Sequence, residues 1–350
     1  MMKWFAAVSA ATVMSVALLS GTTADAADKK VRAQLGVAFP TSTAILGPAE
    51  KRFAKNVEDL SGGSIDIKLF EPGALVPPSQ YFDAVSNGSL DMAYTAAGYF
   101  TGKDIAFALL GAVPFGPGVG EYLAWFEYGG GNKLSDDLHG KYNIVAKLCG
   151  IIAPEASGWF RKEIKTVDDF KGLKMRFYGL GANVMQKMGV ATQLLQAGEI
   201  FQALQLGTID ATEFSMPTMD LTLGFHQVAK HYYFPGWHQQ ASTGHVYISK
   251  KKWDEFSPAQ KNIIDQSCKA QMYQEFAESE AKQFEAMNEL KAKGVTIHTW
   301  SPEILKVLEE KWHEVVEEQK AKSPEFAKIW DNYTAFRKNY AIWRENGYLK

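Results

Sequence analysis

The sequence holds only 2 cysteines in 350 residues, so neither a disulfide scaffold nor a cysteine metal cluster is available to organise it. Beyond the first residues it lacks any run of roughly 20 apolar residues, the length a membrane-spanning helix needs. A formal net charge of -2, spread along the chain, offers no basic tract to follow a phosphate backbone, which excludes a nucleic-acid partner. Its 7 histidines are scattered without ligand spacing. No serine sits in the strand-turn-helix elbow of a hydrolase nucleophile, so no feature supports an enzyme.

What is present begins with an export signal. Met1 to Lys3 make a short basic start, Trp4 to Leu19 an uncharged apolar run, and Ala24-Asp-Ala26 places small residues where a signal peptidase needs them. The expectation is a leader over residues 1–26, cleaved after Ala26, and a mature protein in the periplasm. Roughly 320 residues then remain, more than one compact core usually holds, so two lobes are expected.

An internal echo supports that division. Phe82 to Asp91 (FDAVSNGSLD) and Phe201 to Asp210 (FQALQLGTID) share one pattern: a helix end, a capping glycine at positive φ, then a short strand. In register, Tyr94 follows the first aspartate where Glu213 follows the second. Both fall at carboxyl ends of strands, the edge where open α/β sheets bind ligands. Further strands are expected at Lys30 to Val37, Ser64 to Phe70, Asp91 to Thr95, Ile144 to Leu148, Lys174 to Phe177 and Gly244 to Ile248. Helical patterns separate them, which argues an α/β fold.

The last quarter reads as helix. Ser257-Pro258 opens a long helix stopping near Lys293-Gly294, and Ser301-Pro302 and Ser323-Pro324 open two more, each with a capping serine and a proline at the first helical position. In the last, Ile329, Tyr333, Phe336, Tyr340 and Trp343 form a stripe that faces another helix, on this chain or on a second protomer. Cys149 closes an apolar strand, and Cys268 lies four residues from both Ile264 and Met272 on a helix face. The expectation is two buried small side chains rather than a disulfide.

Few residues stand out chemically. Arg176 ends a strand, and its planar fork matches a carboxylate bidentately; Glu213, among apolar residues, needs a cation or a metal. A surface ion pair is the plainer alternative for both. Glu155 lies in a breaker-rich loop. Gly179-Leu-Gly181-Ala-Asn-Val184 lacks the third glycine of a dinucleotide fingerprint, and that cofactor is rejected. Tyr232 to His238 reads as a cleft wall or hinge, or as plain core.

Gly158-Trp-Phe-Arg-Lys-Glu-Ile164, Leu173-Lys-Met-Arg176, Gly198-Glu-Ile200, Ala203-Leu204, Ile209-Asp-Ala211 and Pro235-Gly-Trp-His238 resemble the extracytoplasmic substrate-binding subunits of TRAP transporters, DctP-type. Val76-Pro-Pro78, Val113-Pro-Phe115 and Gly224-Phe225 fit as well, so the resemblance covers nearly all of the mature chain. It is greatest to the branch that binds 2-oxo acids and related hydroxy acids with a metal ion.

The resemblance implies a two-lobed periplasmic-binding-protein-like fold with a long connecting helix and a helical C-terminal extension. Residues 27–150 would form lobe I, with later segments returning to it, and residues 151–250 lobe II. Residues 251–322 would supply connecting and returning helices. Residues 323–350 would form a helix exchanged between the protomers of a homodimer. The partners implied are a small organic acid such as pyruvate or lactate and the membrane subunits of the symporter. Carried over by position, Arg176 holds the substrate carboxylate, Glu213 and the Phe214 carbonyl enter the metal site, and Tyr94 and Tyr99 line the other wall.

Three positions depart from the pattern: Glu155 stands where glutamine is expected, Phe214 where tryptophan is, and Gln239 where glutamate is. With Glu155 and Glu213 both at the metal, calcium is favoured over sodium. Without a metal the two carboxylates would repel, and one would be protonated. Because the site is altered, another organic acid, an aromatic acid or a polyol stays open as ligand, as does a ligand-presenting sensor subunit.

Overall fold

A computed structural model describes residues 28–349; the expected leader and its cleavage point after Ala26 lie outside the described residues. Eleven strands follow in chain order: β1 (Val31–Val37), β2 (Ile65–Phe70), β3 (Met92–Thr95), β4 (Ile144–Ile152), β5 (Gly158–Phe160), β6 (Lys174–Arg176), β7 (Ala191–Gln193), β8 (Ala211–Thr212), β9 (His231–Phe234), β10 (Ser242–Ser249) and β11 (Thr296–Thr299). They form two mixed sheets, ordered β2-β1-β3-β10-β4 and β11-β9-β5-β8-β6-β7. β1 shows why: Val31, Ala33 and Leu35 are buried while Arg32 and Gln34 alternate outward. Each of the six expected strands is present; β5, β7, β9 and β11 were not read from the sequence, being too short to show a period.

The echo is structural. Gly88 and Gly207 follow the helices Tyr81–Ser86 and Ala197–Leu206 at φ of 76° and 72°, and β3 and β8 come next. The echoed aspartates also do the same work. Asp91 accepts from the Gln34 N–H at 3.0 Å and Asp210 from the Lys174 N–H at 2.9 Å, each tying its turn to the neighbouring strand.

Chain order and sheet membership differ. Ser242–Ser249, grouped by the sequence reading with residues 151–250, pairs antiparallel with β3 and β4 in the first sheet. Thr296–Thr299, inside a segment read as helices, pairs parallel with β9 in the second.

The long helix opens as expected, Ser257 and Gln260 exchanging side-chain and backbone hydrogen bonds at 3.1 and 3.0 Å. It breaks at Lys282 into Pro258–Ala281 and Gln283–Ala292. There the Gln283 side-chain N–H donates to the Ser279 carbonyl at 2.6 Å, and its oxygen accepts from the Thr218 N–H at 3.1 Å. A side chain so placed competes with the helical ladder and docks the first turn of the short helix Pro217–Leu223. The first half of this helix crosses β4, and here the cysteine expectation is overturned. Cys149 and Cys268 are joined in a disulfide, with Cα atoms 4.2 Å apart and a sequence separation of 119. Burial on facing elements, which argued for small packed side chains, is the same geometry that brings the two sulfurs together.

In the terminal helix Pro324–Asn346 the aromatic stripe divides. Phe326, Ile329 and Tyr333 are buried, Tyr333 lying edge-on to Trp125 at 5.3 Å between centroids. Farther along, Ile342 and Trp343 are 73% and 57% exposed. The near half packs on its own chain, Phe336 is half-buried against the same core, and the end from Ile342 onward stands exposed. Arg337 and Arg344 still hold this helix down through the buried Glu121, at 2.9 and 3.1 Å. No described helix is long and apolar enough to cross a membrane.

Candidate functional site

The carboxyl ends of β6 and β8 bring Arg176 and Glu213 together. Both side chains are essentially inaccessible, at 1% and 0%, and form an ion pair of 2.7 Å. The guanidinium is spread over several partners: Nε donates to the Leu195 carbonyl at 3.2 Å, Nη1 to the Glu213 carbonyl and carboxylate at 2.6 and 2.7 Å, and Nη2 to the Tyr99 hydroxyl at 3.3 Å. Of five N–H donors, one on Nη2 is left over beside the cavity. The Phe214 ring lies under the guanidinium at 5.5 Å. Glu213 also accepts from the Tyr178 N–H at 2.5 Å. Burial alone raises its pKa, but the Arg176 charge, His238 and the Tyr178 N–H outweigh that and hold it below the usual carboxylate range.

Glu155 arrives from the turn after β4. One of its oxygens accepts from Gln239 Nε2 at 3.1 Å and from the Ser242 hydroxyl at 2.9 Å. Its backbone is held in the same loop, the Glu155 N–H donating to the Gln239 carbonyl at 3.1 Å and the Gly236 N–H to the Glu155 carbonyl at 3.0 Å. Burial, then the neighbouring Glu213 charge, push the Glu155 pKa well above the carboxylate range, a cost that a cation beside it would relieve.

Six buried polar atoms here have no hydrogen-bond partner among the described residues: Glu155 Oε2, Glu213 Oε2, Gln239 Oε1, Ser215 Oγ and both ring nitrogens of His238. His238 Nε2 lies 3.6 Å from Glu213 Oε2 and 4.0 Å from Glu155 Oε2, both outside hydrogen-bond range. Candidate ligand atoms of Glu155, Glu213 and His238 all fall within 4.8 Å of one another. Two oxygens bound to one calcium at about 2.3–2.6 Å stand at most about 5 Å apart, so this spacing fits one ion without rearrangement. The orphaned Glu155, Glu213 and Gln239 oxygens make a donor set for a hard cation, with the imidazole at its margin.

Beside this cluster lies a cavity of about 60 Å³, lined by Phe39, Tyr94, Tyr99, Glu155, Arg176 and Phe214 among others. A water molecule needs about 10–15 Å³ on this measure, so the space suits a molecule of a few heavy atoms and not a large sugar acid. Tyr99 is pushed up to about 12 by burial and stays a neutral hydroxyl. Tyr94 also lines the cavity, but its hydroxyl donates to the Cys149 carbonyl at 3.0 Å.

All seven residues expected at the site therefore gather round one cavity: Arg176, Tyr94, Tyr99, Glu155, Glu213, Phe214 and Gln239. His238, Ser242 and Tyr178 were missed. His238 was marked only by its place in the aromatic run Tyr232 to His238 and at the end of the family motif Pro235 to His238, neither of which assigned it to the site, and Ser242 had no signal.

The chain matches the profile of the bacterial extracellular solute-binding proteins of family 7, DctP, over residues 36–323. It is 33% identical over 340 residues, covering 97% of this chain and 93% of the other, to a monocarboxylate 2-oxoacid-binding periplasmic protein of Nostoc sp.. A TRAP transporter solute-binding protein of Bordetella bronchiseptica superimposes with a TM-score of 0.88 at 32% identity, over 90% of this chain and 94% of that one. Its crystal structure is a mixed-occupancy dimer with copurified calcium and picolinate in the site. A TRAP periplasmic protein of Pseudoalteromonas atlantica, with bound sodium and pyruvate, superimposes at 0.86 and 31% identity, over 90% and 96% of the chains.

Proposed function

The chain belongs to the DctP family, the solute-binding components of TRAP transporters, and from that membership we propose that its cavity takes a small 2-oxo monocarboxylate together with a metal ion. The observation that carries this reading is the convergence of unpartnered Glu155, Glu213 and Gln239 oxygens beside the last free N–H of Arg176. An anion and a cation each find what the other leaves open.

In this reading Arg176 and Tyr99 hold the substrate carboxylate, while Glu155, Glu213, Gln239 and the Phe214 carbonyl hold the metal. Tyr94 supports the far wall. A bound cation supplies charge neutralisation and a second anchor for a ligand whose oxo group lies next to its carboxylate. Pyruvate and picolinate, the ligands of the two similar structures, share that arrangement of a donor atom beside a carboxylate. Two carboxylates favour calcium over sodium. Aromatic faces at Phe39, Tyr99 and Phe214 leave room for a flat acid as a second ligand class.

The protein works in the periplasm after removal of its leader, as a receptor and not as an enzyme, and delivers its ligand to the membrane subunits. The exposed Ile342 and Trp343 end of the last helix is covered by a second copy in a homodimer. Calorimetric titration of the mature protein with pyruvate, with calcium and with chelator, tests the site. Saturable binding on the order of micromolar that disappears with chelator is expected. Binding unaffected by chelator would overturn the metal's part, and no binding of any 2-oxo acid would overturn the ligand class.

A further inference from the structure

The cavity has a second polar end. Across from Arg176, the crossing helix Pro258–Ala281 sends in Glu275, which is 1% exposed and lines the same cavity. One of its carboxyl oxygens accepts from the Ile151 N–H at 3.0 Å. Two facing glycines on adjacent strands, Gly150 and Gly244, floor this end. A methyl group on Gly150 would lie 2.7 Å from Glu275 Oε2 and 2.8 Å from the Tyr94 hydroxyl, and one on Gly244 would press on the Tyr94 ring at 3.2 Å. The missing side chains are what let a carboxyl and a phenol reach this spot.

The same cavity is lined by apolar Phe39, Leu46, Ile151 and Ile152. An apolar floor would have suited an aliphatic tail better, since burying a carboxyl in such a place is costly. Glu275 is pushed up to about 8 by burial, so it keeps its proton at neutral pH and can both give and accept a hydrogen bond. The Tyr94 proton is already given to the Cys149 carbonyl, which leaves its oxygen as an acceptor. Glu50, buried and without a hydrogen-bond partner among the described residues, and Glu278, paired with Arg52 at 2.8 Å, stand near Glu275, an acidic surrounding that disfavours a second carboxylate on the ligand.

We propose that Glu275, with Tyr94, is a specificity-determining pair that selects 2-oxo monocarboxylates carrying a hydrogen-bonding group, such as a hydroxyl, at the end away from the carboxylate. This rests on the 2-oxo acid reading of the same cavity and narrows it.

The test compares matched ligands by titration calorimetry on the mature protein with calcium: 3-hydroxypyruvate against pyruvate, and 4-hydroxy-2-oxobutanoate against 2-oxobutanoate. The wild type prefers the hydroxylated acid at one chain length at least, by about fivefold or more, the worth of one net hydrogen bond. Glu275→Leu abolishes that preference. Glu275→Gln, which keeps a donor and an acceptor, retains it, an outcome a merely structural role for the residue would not produce. Pyruvate binding by the wild type with no preference at either length overturns the selectivity alone, as does a ratio unchanged in Glu275→Leu or lost in Glu275→Gln. Failure of the wild type to bind any of the four acids overturns the 2-oxo acid reading as well.

Discussion

Replacing Arg176 removes two things at once, because the same guanidinium faces the cavity and neutralises buried Glu213. Arg176→Ala is expected to lose acid binding and about 3–5 kcal/mol of stability, since it strands a buried charge. Pairing Arg176→Met with Glu213→Gln should regain much of the stability but none of the binding, as followed by urea unfolding and by calorimetry. Glu155 behaves differently. Burial and the Glu213 charge disfavour its ionised form, so Glu155→Gln should raise the melting temperature of the metal-free protein while weakening calcium by about tenfold, because a neutral amide oxygen replaces a carboxylate oxygen. A calcium affinity unchanged in that variant would remove Glu155 from the metal site. Arg176 and Glu213 were legible in the sequence because both sit at strand ends that local pattern marks. His238 and Glu275 were not, because an aromatic run and a helix face give no sign of what they face.

Elements are held to one another by a few cross-links whose loss can be measured. The Cys149–Cys268 disulfide ties the crossing helix to β4 and closes a loop with 119 residues of separation. Reduction, or the Cys149→Ser/Cys268→Ser variant, is expected to lower unfolding stability by about 2–4 kcal/mol. At the far end of the chain, Glu121→Ala leaves Arg337 and Arg344 without their shared carboxylate. Hydrogen exchange should then quicken after Tyr333 but not over Phe326 to Tyr333, where buried aromatic packing persists. Equal quickening along the whole helix would mean that Glu121, not the aromatic packing, docks it.

The whole molecule stores protons in its interior. Besides Glu50 and Glu155, whose pKa values burial raises well above the carboxylate range, Asp220 is pushed up to about 7 and Glu275 to about 8. These groups keep protons in the folded state that the unfolded chain has released above about pH 4, so each loses stability as pH rises toward its folded pKa. Buried His139 and His245, lowered by burial to about 4 and about 3, act oppositely, and their contribution is lost as pH falls below about 6.5. Four acids outweigh two histidines. The melting temperature of the metal-free protein should therefore fall from pH 5 to pH 8 in scanning calorimetry, and a rise across that range would mean the acids are already ionised. By itself the sequence determined what depends on near neighbours: six strands from apolar runs, three helix starts from Ser-Pro caps, and the echoed turns from glycines that take positive φ without strain. Packing between distant segments decided the rest. It joined Cys149 to Cys268, returned Ser242–Ser249 to the first sheet, and brought Glu155, Glu213, His238 and Gln239 round one point. No local period records such meetings, because they are set by which buried faces exclude water together, and only the closed tertiary structure makes that choice.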